Sequence, residues 1–394
     1  MRVKKIFSAI LIFSLFVSCA STKKNSANPY EEKNPVTTEN FFRGEEFIRL
    51  TFAGDIMAHR ENAADFKNAY DDIKQILLWA DFSFCNLETS VDDKKNFSSY
   101  PLFNVKENFA ETLIQSGFNV FSLANNHCND FGAEGLDATL NFFSRKKSEL
   151  SESERKIYFS GIKQNENDGM KFVLMEKNGW KILFASVTEV LNFRTDTQKF
   201  NYVSPAEISR KKFLEQVKTQ KENSGCDILV LSLHCNESEY VRGIDENQKK
   251  FYHALVDSGV DILWINHPHV SKEWEIIPDE NKNPAKMIFY SVGNTISGQR
   301  RNPNFKNPQE NHEYTGDSFI TQIILKKENG SAKIVWVNPV MITTFITAGN
   351  QFVIKKLDDN FLQELRSEKN FVWFDYLSER KKLMEQIKGK ISCR

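Results

Sequence analysis

The chain has no excess charge of either sign: 52 lysines and arginines balance 52 aspartates and glutamates in 394 residues. That balance excludes a protein that holds nucleic acid through a basic surface. Beyond Cys19 the cysteines are Cys85, Cys128, Cys226, Cys235 and Cys393, an odd number with no C-x-x-C pair and no zinc-motif spacing. Disulfides are compatible with a location outside the cytoplasm, but no pair is indicated. No internal repeat is present. Glycine is scarce, 17 residues against 33 phenylalanines, and many of the phenylalanines fall in strand-like runs, where they read as core packing. With 40% hydrophobic residues there is enough apolar material for a large core. The length allows two domains, and one large mixed domain fits as well.

The apolar run from Ile6 to Val17 is too short to cross a bilayer as a mature helix, and the basic Met1-Arg-Val-Lys-Lys precedes it, the order of a secretory signal. The run continues into Phe16-Val-Ser-Cys19-Ala20, which resembles a bacterial lipoprotein signal and implies cleavage before a lipidated Cys19. Each buried acyl methylene adds roughly 0.8 kcal/mol, so two or more chains hold a protein firmly to a membrane. Residues 1–18 are expected to be the signal peptide. Residues 19–46, rich in Ser, Thr, Lys, Asn, Pro and Glu, are expected to be a flexible tether. The expected location is the cell envelope, as an exported, membrane-anchored lipoprotein.

Six apolar, strand-like runs end abruptly on polar residues. Phe47 to Ala53 closes on Gly54-Asp55-Ile-Met57, and Ala80 to Cys85 on Asn86-Leu-Glu88. Phe118 to Ala124 closes on Asn125-Asn126-His127, and Cys226 to Leu233 on His234. Asp261 to Asn266 closes on His267-Pro-His269, and Met287 to Val292 on Gly293-Asn294. Between them, helical periodicity marks 62–79, 107–115, 134–143, 205–221 with Ser204 as N-cap, and 246–258 with His253 on an ordinary face. The dipeptides Asn178-Gly179 and Asn329-Gly330 predict two hairpins. Residues 299–311 read as a mobile loop beside the site. The main domain is expected over 47–345 and a helical tail over 346–394.

Alternating strands and helices predict an α/β fold with a parallel or mixed sheet, whose ligands bind beyond the carboxyl ends of the strands. Those ends carry Asp55, Glu88, Asn126, His127, His234, His267 and His269. At a strand end, His-x-His sets both imidazoles on one side of the chain. Carboxylates, an amide oxygen and imidazoles suit Mn, Zn or Fe rather than Ca. One or two divalent ions are expected; two, roughly 3.5 to 4 Å apart and sharing a carboxylate, would activate a water for attack. His127 would then serve as general acid or oxyanion stabiliser. Cys128 and Cys235, beside two of the histidines, read as packing.

In order and spacing, the motifs Gly54-Asp55-Ile-Met, Asn86-Leu-Glu88, Ala124-Asn-Asn-His127, Val230-Leu-Ser-Leu-His234, His267-Pro-His269-Val and Tyr290-Ser-Val-Gly-Asn294 resemble those of the bacterial capsule synthesis CapA family, the poly-gamma-glutamate synthesis or anchoring proteins. The resemblance covers about residues 47 to 340. That family is similar to calcineurin-like metallophosphatases, which implies an α/β (α+β) four-layer αββα sandwich. It also implies metal-site roles for Asp55, Glu88, Asn126, His234, His267 and His269 and a catalytic role for His127. Substrate-binding roles are expected for Asn86, Asn125, Glu237 and Asn294. The chain departs from the pattern at Met57, where the wider fold has His, and at Cys235-Asn236, Asn266 and Thr295. His59, two residues beyond Met57, reads as a solvated loop residue.

The resemblance implies synthesis, attachment or release of a surface polymer, poly-gamma-glutamate, by metal-dependent hydrolysis or transfer. The expected partners are that polymer or its precursor, the membrane through the lipid anchor, and membrane-bound polymer synthesis proteins. The alternatives are a secreted metallophosphoesterase and a polymer-binding surface protein without catalytic metal.

Overall fold

The computed structural model describes residues 44–388 and the strand Ser392–Cys393. The expected signal peptide, Cys19 and the tether up to residue 43 lie outside the described residues. In chain order the elements are β1 (Phe47–Ile56), α1 (Arg60–Ala63), α2 (Lys74–Trp79), β2 (Phe82–Leu87), β3 (Ser90–Val91), β4 (Asn104–Val105), α3 (Glu107–Ser116), β5 (Val120–Ser122), α4 (Gly132–Glu149) and β6 (Tyr158–Ser160). There follow β7 (Phe172–Lys177), β8 (Trp180–Thr188), α5 (Glu207–Ser224), β9 (Ile228–His234), α6 (Glu246–Asp257), β10 (Ile262–Asn266), β11 (Trp274–Pro278), β12 (Pro284–Phe289) and β13 (Asn294–Ile296). The last are β14 (Asp317–Glu328), β15 (Ser331–Ile346), β16 (Phe352–Lys356), α7 (Asp359–Ser367), α8 (Phe371–Lys388) and β17 (Ser392–Cys393).

Two sheets carry the fold. The first runs β16-β15-β14-β1-β2-β5-β6 with β13 beside β1, and the second runs β17-β11-β12-β10-β9-β8-β7. The parallel centres, β1-β2-β5-β6 and β8-β9-β10-β12, point their carboxyl ends the way the sequence requires. Strand alternation sorts their side chains. Ile228 and Val230 join the core shared by both sheets, whereas Leu229, Leu231 and Leu233 face α5 and α6. In the first sheet Phe82 and Phe84 face the shared core, while Cys85 and Phe121 meet α3 and α4.

Aromatic rings join the sheets. Phe52 stacks on Phe84 at 4.6 Å and reaches Phe289 at 5.4 Å, and Phe84 meets Phe184 at 5.5 Å. Helices on the outer face of each sheet complete the expected four layers, α-β-β-α. The abundant phenylalanines therefore do serve the core. Among the described residues no helix is long and apolar enough to cross a membrane.

Several local expectations are corrected. The stretch 62–79 is not one helix: the Ala69 carbonyl accepts from Ile354 N of β16 at 2.8 Å, and only α1, a short 3₁₀ turn and α2 remain. Conversely, α4 runs on beyond the expected end at 143 to Glu149, because Arg145 and Lys146 pair with Glu149 one helical turn away. Helix α5 begins after Ala206, and Ser204 caps only a turn, accepting from Ala206 N at 3.3 Å. His253 is buried, its Nε2 3.2 Å from the Tyr290 hydroxyl.

The segment 346–394 opens with a strand, not a helix: β16 pairs with β15, and α7 and α8 then place Phe361, Leu365, Tyr376 and Leu377 in the core shared by the two sheets. Residues 299–311 are pinned rather than free at Arg300, whose buried guanidinium donates to Asp317 at 2.7 Å and to the Thr344 carbonyl at 2.8 Å. Arg380 of α8 ends on the same aspartate at 2.5 Å. Burial opposes ionisation of Asp317, but Arg300 and Arg380 outweigh it and hold the carboxyl below its ordinary pKa.

Candidate metal centre

The carboxyl ends of both parallel centres meet at one point, and a break in regularity aims the first acid there. Phe52 stands opposite Phe84, yet Asp55 stands opposite Asn86, so β1 has one residue more than β2 over this interval. That bulge flips the alternation and turns Asp55 onto the inter-sheet side with Asn86. Gly54 makes it possible, since a Cβ there would lie 1.8 Å from the Gly293 carbonyl oxygen. Its amide donates to Thr295 Oγ1 at 2.7 Å, which gives one of the departures from the family pattern a clear local task.

Glu88 follows β2 directly, its amide bonded to the Ile56 carbonyl at 3.0 Å. Its Oε1 lies 3.7 Å from His234 Nε2 and 3.8 Å from His269 Nε2. The side chain is fully buried, and neither oxygen has a hydrogen-bond partner. Two sets of donor atoms, each gathered within 4.8 Å, share this residue: Asp55, Glu88 and His269, and Glu88, His234 and His267. Asn126 Oδ1, 2.8 Å from His234 Nε2, adds an oxygen to the second set.

His234 reaches the centre by strand parity, since it follows Val230 and Ser232 on the inward face of β9. His267 and His269 do not, and the expected pincer at the end of a strand is corrected. β10 stops at Asn266, and both histidines lie in a turn with positive φ, 101° and 57°. Such backbone costs energy in non-glycine residues and persists only where surrounding contacts impose it. Here Asp55 Oδ2 accepts from His267 N at 3.3 Å, and His269 Nδ1 lies 3.1 Å from Asp55 Oδ2 and 3.0 Å from Asn294 Oδ1. The ring of His267 is 4.8 Å from that of His234 and 5.9 Å from that of His269, centroid to centroid.

The electrostatics are those of a site made for a cation. Burial pushes the Glu88 carboxyl well above its ordinary range. Burial, then the neighbouring histidines, holds His234 and His267 well below theirs. For His269 burial is outweighed by Glu88 and Asp55, and its pKa rises to about 9. An ionised buried carboxylate without a partner is costly, and so is the unpartnered Nδ1 of His267. A divalent ion would satisfy these atoms, and the nitrogen and oxygen donors fit Mn, Zn or Fe.

The other predicted residues have distinct surroundings. Asn86 donates to Asp55 Oδ1 at 2.8 Å, and Asn125 donates to the Leu87 carbonyl at 2.9 Å; both are wholly buried. Asn294 holds His269 and donates to Gln299 Oε1 at 2.7 Å. Glu237 accepts from Tyr252 at 2.6 Å and Lys272 at 2.5 Å, turned to the interior. His127 stacks edge-on against Phe103 at 4.6 Å, and its Nδ1 lies 2.7 Å from Asp130 Oδ2. Cys128 and Cys235 are buried thiols outside both donor sets, as expected.

His59 is not solvated: it is buried, accepts from Gly298 N at 3.2 Å, and burial with the charges of His269 and His127 lowers its pKa to about 3. It belongs to neither donor set, so among the described residues no further histidine joins the donor groups in place of the one absent at Met57.

Three residues went unassigned in the sequence. Glu239 forms a further donor group with His267 and His269, Asp130 anchors His127, and Asn192 accepts from Asn126 at 3.2 Å. The available signal for Asp130 was its place three residues beyond His127; for Glu239 it was the second acid of Glu237-Ser-Glu239. Asn192 had none.

The family model of the bacterial capsule synthesis protein PGA_cap matches residues 49–299. The capsule biosynthesis protein CapA of Bacillus anthracis is 26% identical over 310 residues, 74% of this chain and 71% of that protein. The PGA biosynthesis protein CapA of Bacillus subtilis is 25% identical over 341 residues, 84% of this chain and 80% of that protein. Among solved structures, the calcineurin-like phosphoesterase YfkN from Bacillus subtilis aligns with a TM-score of 0.41 and 11% identity, over 84% of this chain and 99% of that one.

Proposed function

Since the chain belongs to the bacterial capsule synthesis protein family, we propose that it is an exported, lipid-anchored protein that acts on a surface polymer by metal-dependent hydrolysis or transfer. Two relatives named for capsule and PGA biosynthesis support poly-gamma-glutamate as the polymer. The observation that carries the chemical part is Glu88, buried, without a hydrogen-bond partner and common to two donor sets. Asp55, Glu88 and His269 would hold one ion, and Glu88, Asn126, His234 and His267 a second. A divalent cation there supplies Lewis acidity toward an amide or phosphoester oxygen.

The protein's own residues do the rest. Asp130 Oδ2, 2.7 Å from His127 Nδ1, is placed to accept from it; in that tautomer Nε2 is the atom that would give or take a proton at the leaving group. Phe103 holds the ring against rotation. Asn86 and Asn294 orient Asp55 and His269, and the buried surroundings exclude bulk water from Glu88. Cys19 would anchor the chain to a membrane of the cell envelope, with polymer synthesis proteins as neighbours.

One feature favours a second reading, a polymer-binding protein without catalytic metal: buried Met57 stands where the wider fold places a ligand. Purified protein, assayed for metal and then for release of products from γ-linked glutamate polymer and from a generic phosphodiester, decides among these. Metal together with polymer cleavage supports the proposal; polymer binding without metal or turnover supports the second reading; phosphodiester turnover alone points to a plain phosphoesterase. Membrane fractionation of Cys19→Ala tests the anchor, which is rejected if the variant stays with the membrane.

A further inference from the structure

A cavity of about 300 Å³ opens on the flank of the His267–His269 turn, with Arg242, Lys249, Ser271 and Lys272 in its wall. Two of the segments in its wall lead out of the metal centre. Ser271 and Lys272 follow His269 along the chain, and Arg242 follows Tyr240, whose ring centroid is 6.2 Å from that of His269. The cations differ in how they are engaged. Lys272 is fully buried and neutralised by Glu237 at 2.5 Å. Among the described residues Arg242 and Lys249 take part in no ion pair; they rest on aromatic faces, Arg242 at 4.0 Å from the Tyr314 centroid and Lys249 at 5.5 Å from that of Tyr290.

Arg242 Nε is buried and has no hydrogen-bond partner. A buried donor left unmet is costly, and a guanidinium held over a ring is a planar fork that matches carboxylate or phosphate oxygens. Glu246 and Glu273 share the wall, so its net charge is small and the recognition element is the Arg242 guanidinium.

We propose that this cavity is a subsite for an anionic group of the polymer substrate, anchored by Arg242 with Lys249 as the second cation. One repeat unit places its anion here while the bond to be processed lies at the metal centre. This rests on the reading of the substrate as a polymer, and extends it by assigning where the repeating charge is held.

The test is equilibrium binding to the full chain, as wild type, as Arg242→Met/Lys249→Gln and as Arg242→Lys, with metal content measured in parallel. The probes are a γ-linked glutamate oligomer, the same oligomer amidated to remove its charge, and a polyglycerol phosphate oligomer. The double variant is expected to bind a charged oligomer about tenfold more weakly or worse, with unchanged metal content. Arg242→Lys, which keeps the charge and loses the fork, is expected to fall between. The proposal is overturned if the double variant keeps wild-type affinity, if the amidated oligomer binds wild type as tightly as the charged one, or if wild type binds neither charged oligomer. Charge-dependent binding of polyglycerol phosphate alone supports the subsite and rejects poly-gamma-glutamate as the polymer. Charge-dependent binding to a protein that holds no metal supports the subsite and rejects the metal-dependent chemistry.

Discussion

Asn86 and Asp55 are joined side chain to side chain at 2.8 Å, although the strands that carry them are one residue out of step just upstream. The extra residue in β1 is what turns Asp55 toward the second sheet, and Gly54 is the residue the bulge tolerates, because the Gly293 carbonyl occupies the space of a side chain. Gly54→Ala is expected to cost about 3 kcal/mol in urea unfolding and to lower bound metal. Wild-type stability in that variant would remove the bulge from the account.

Glu88 should be needed for metal and harmful without it. In Glu88→Gln, metal content is expected to fall sharply. After chelation, the same variant should unfold at higher urea than chelated wild type at neutral pH, by on the order of 1 kcal/mol, because burial of the acid costs more than its approach to His269 returns. A chelated variant less stable than chelated wild type would show that the pairing of Glu88 with His269 outweighs the cost of its burial.

The metal-free protein should weaken on the alkaline side. A group whose folded pKa is raised stabilises fully below its unfolded value and loses that contribution as pH rises through the folded value. His269, raised from 6.5 to about 9, acts in that window, and Glu88, also raised, acts in the same direction. His234 and His267 are lowered and act only below the ordinary histidine range. Chelated protein should therefore lose up to about 3 kcal/mol between pH 6.5 and 9, measured by urea unfolding, and His269→Gln should flatten that slope. A flat wild-type profile would contradict the pairing of His269 with Glu88 and Asp55.

His127 and Asp130 should affect turnover without affecting metal. His127→Gln is expected to lower kcat by about 10²- to 10⁴-fold, and Asp130→Asn by less, both with wild-type metal content and little change in KM. Loss of metal in either variant would make His127 part of the ligand shell instead.

Much of this was legible in the sequence because strand parity is simple. Val230 and His234 share a face, and six apolar runs ending on polar residues did place those residues at one rim. Asp55 obeyed no such parity, and only Gly54 hinted at its bulge. The pairing of His267 with His269 was expected for a different reason from the observed one, since positive φ at both residues depends on bonds to Asp55 that lie 212 and 214 residues away in the chain. The break in residues 62–79 was invisible for the same kind of reason, being imposed by Ile354. The strand at 352–356 was missed because only the long β15 beside it gives those few residues a partner.

The most direct measurement is the metal content of purified His267→Ala and His269→Ala by elemental analysis, with far-UV circular dichroism as the control for folding. Loss of bound metal in both variants with a nearly unchanged spectrum is the predicted result; full metal occupancy in both would contradict the assignment of these residues as ligands.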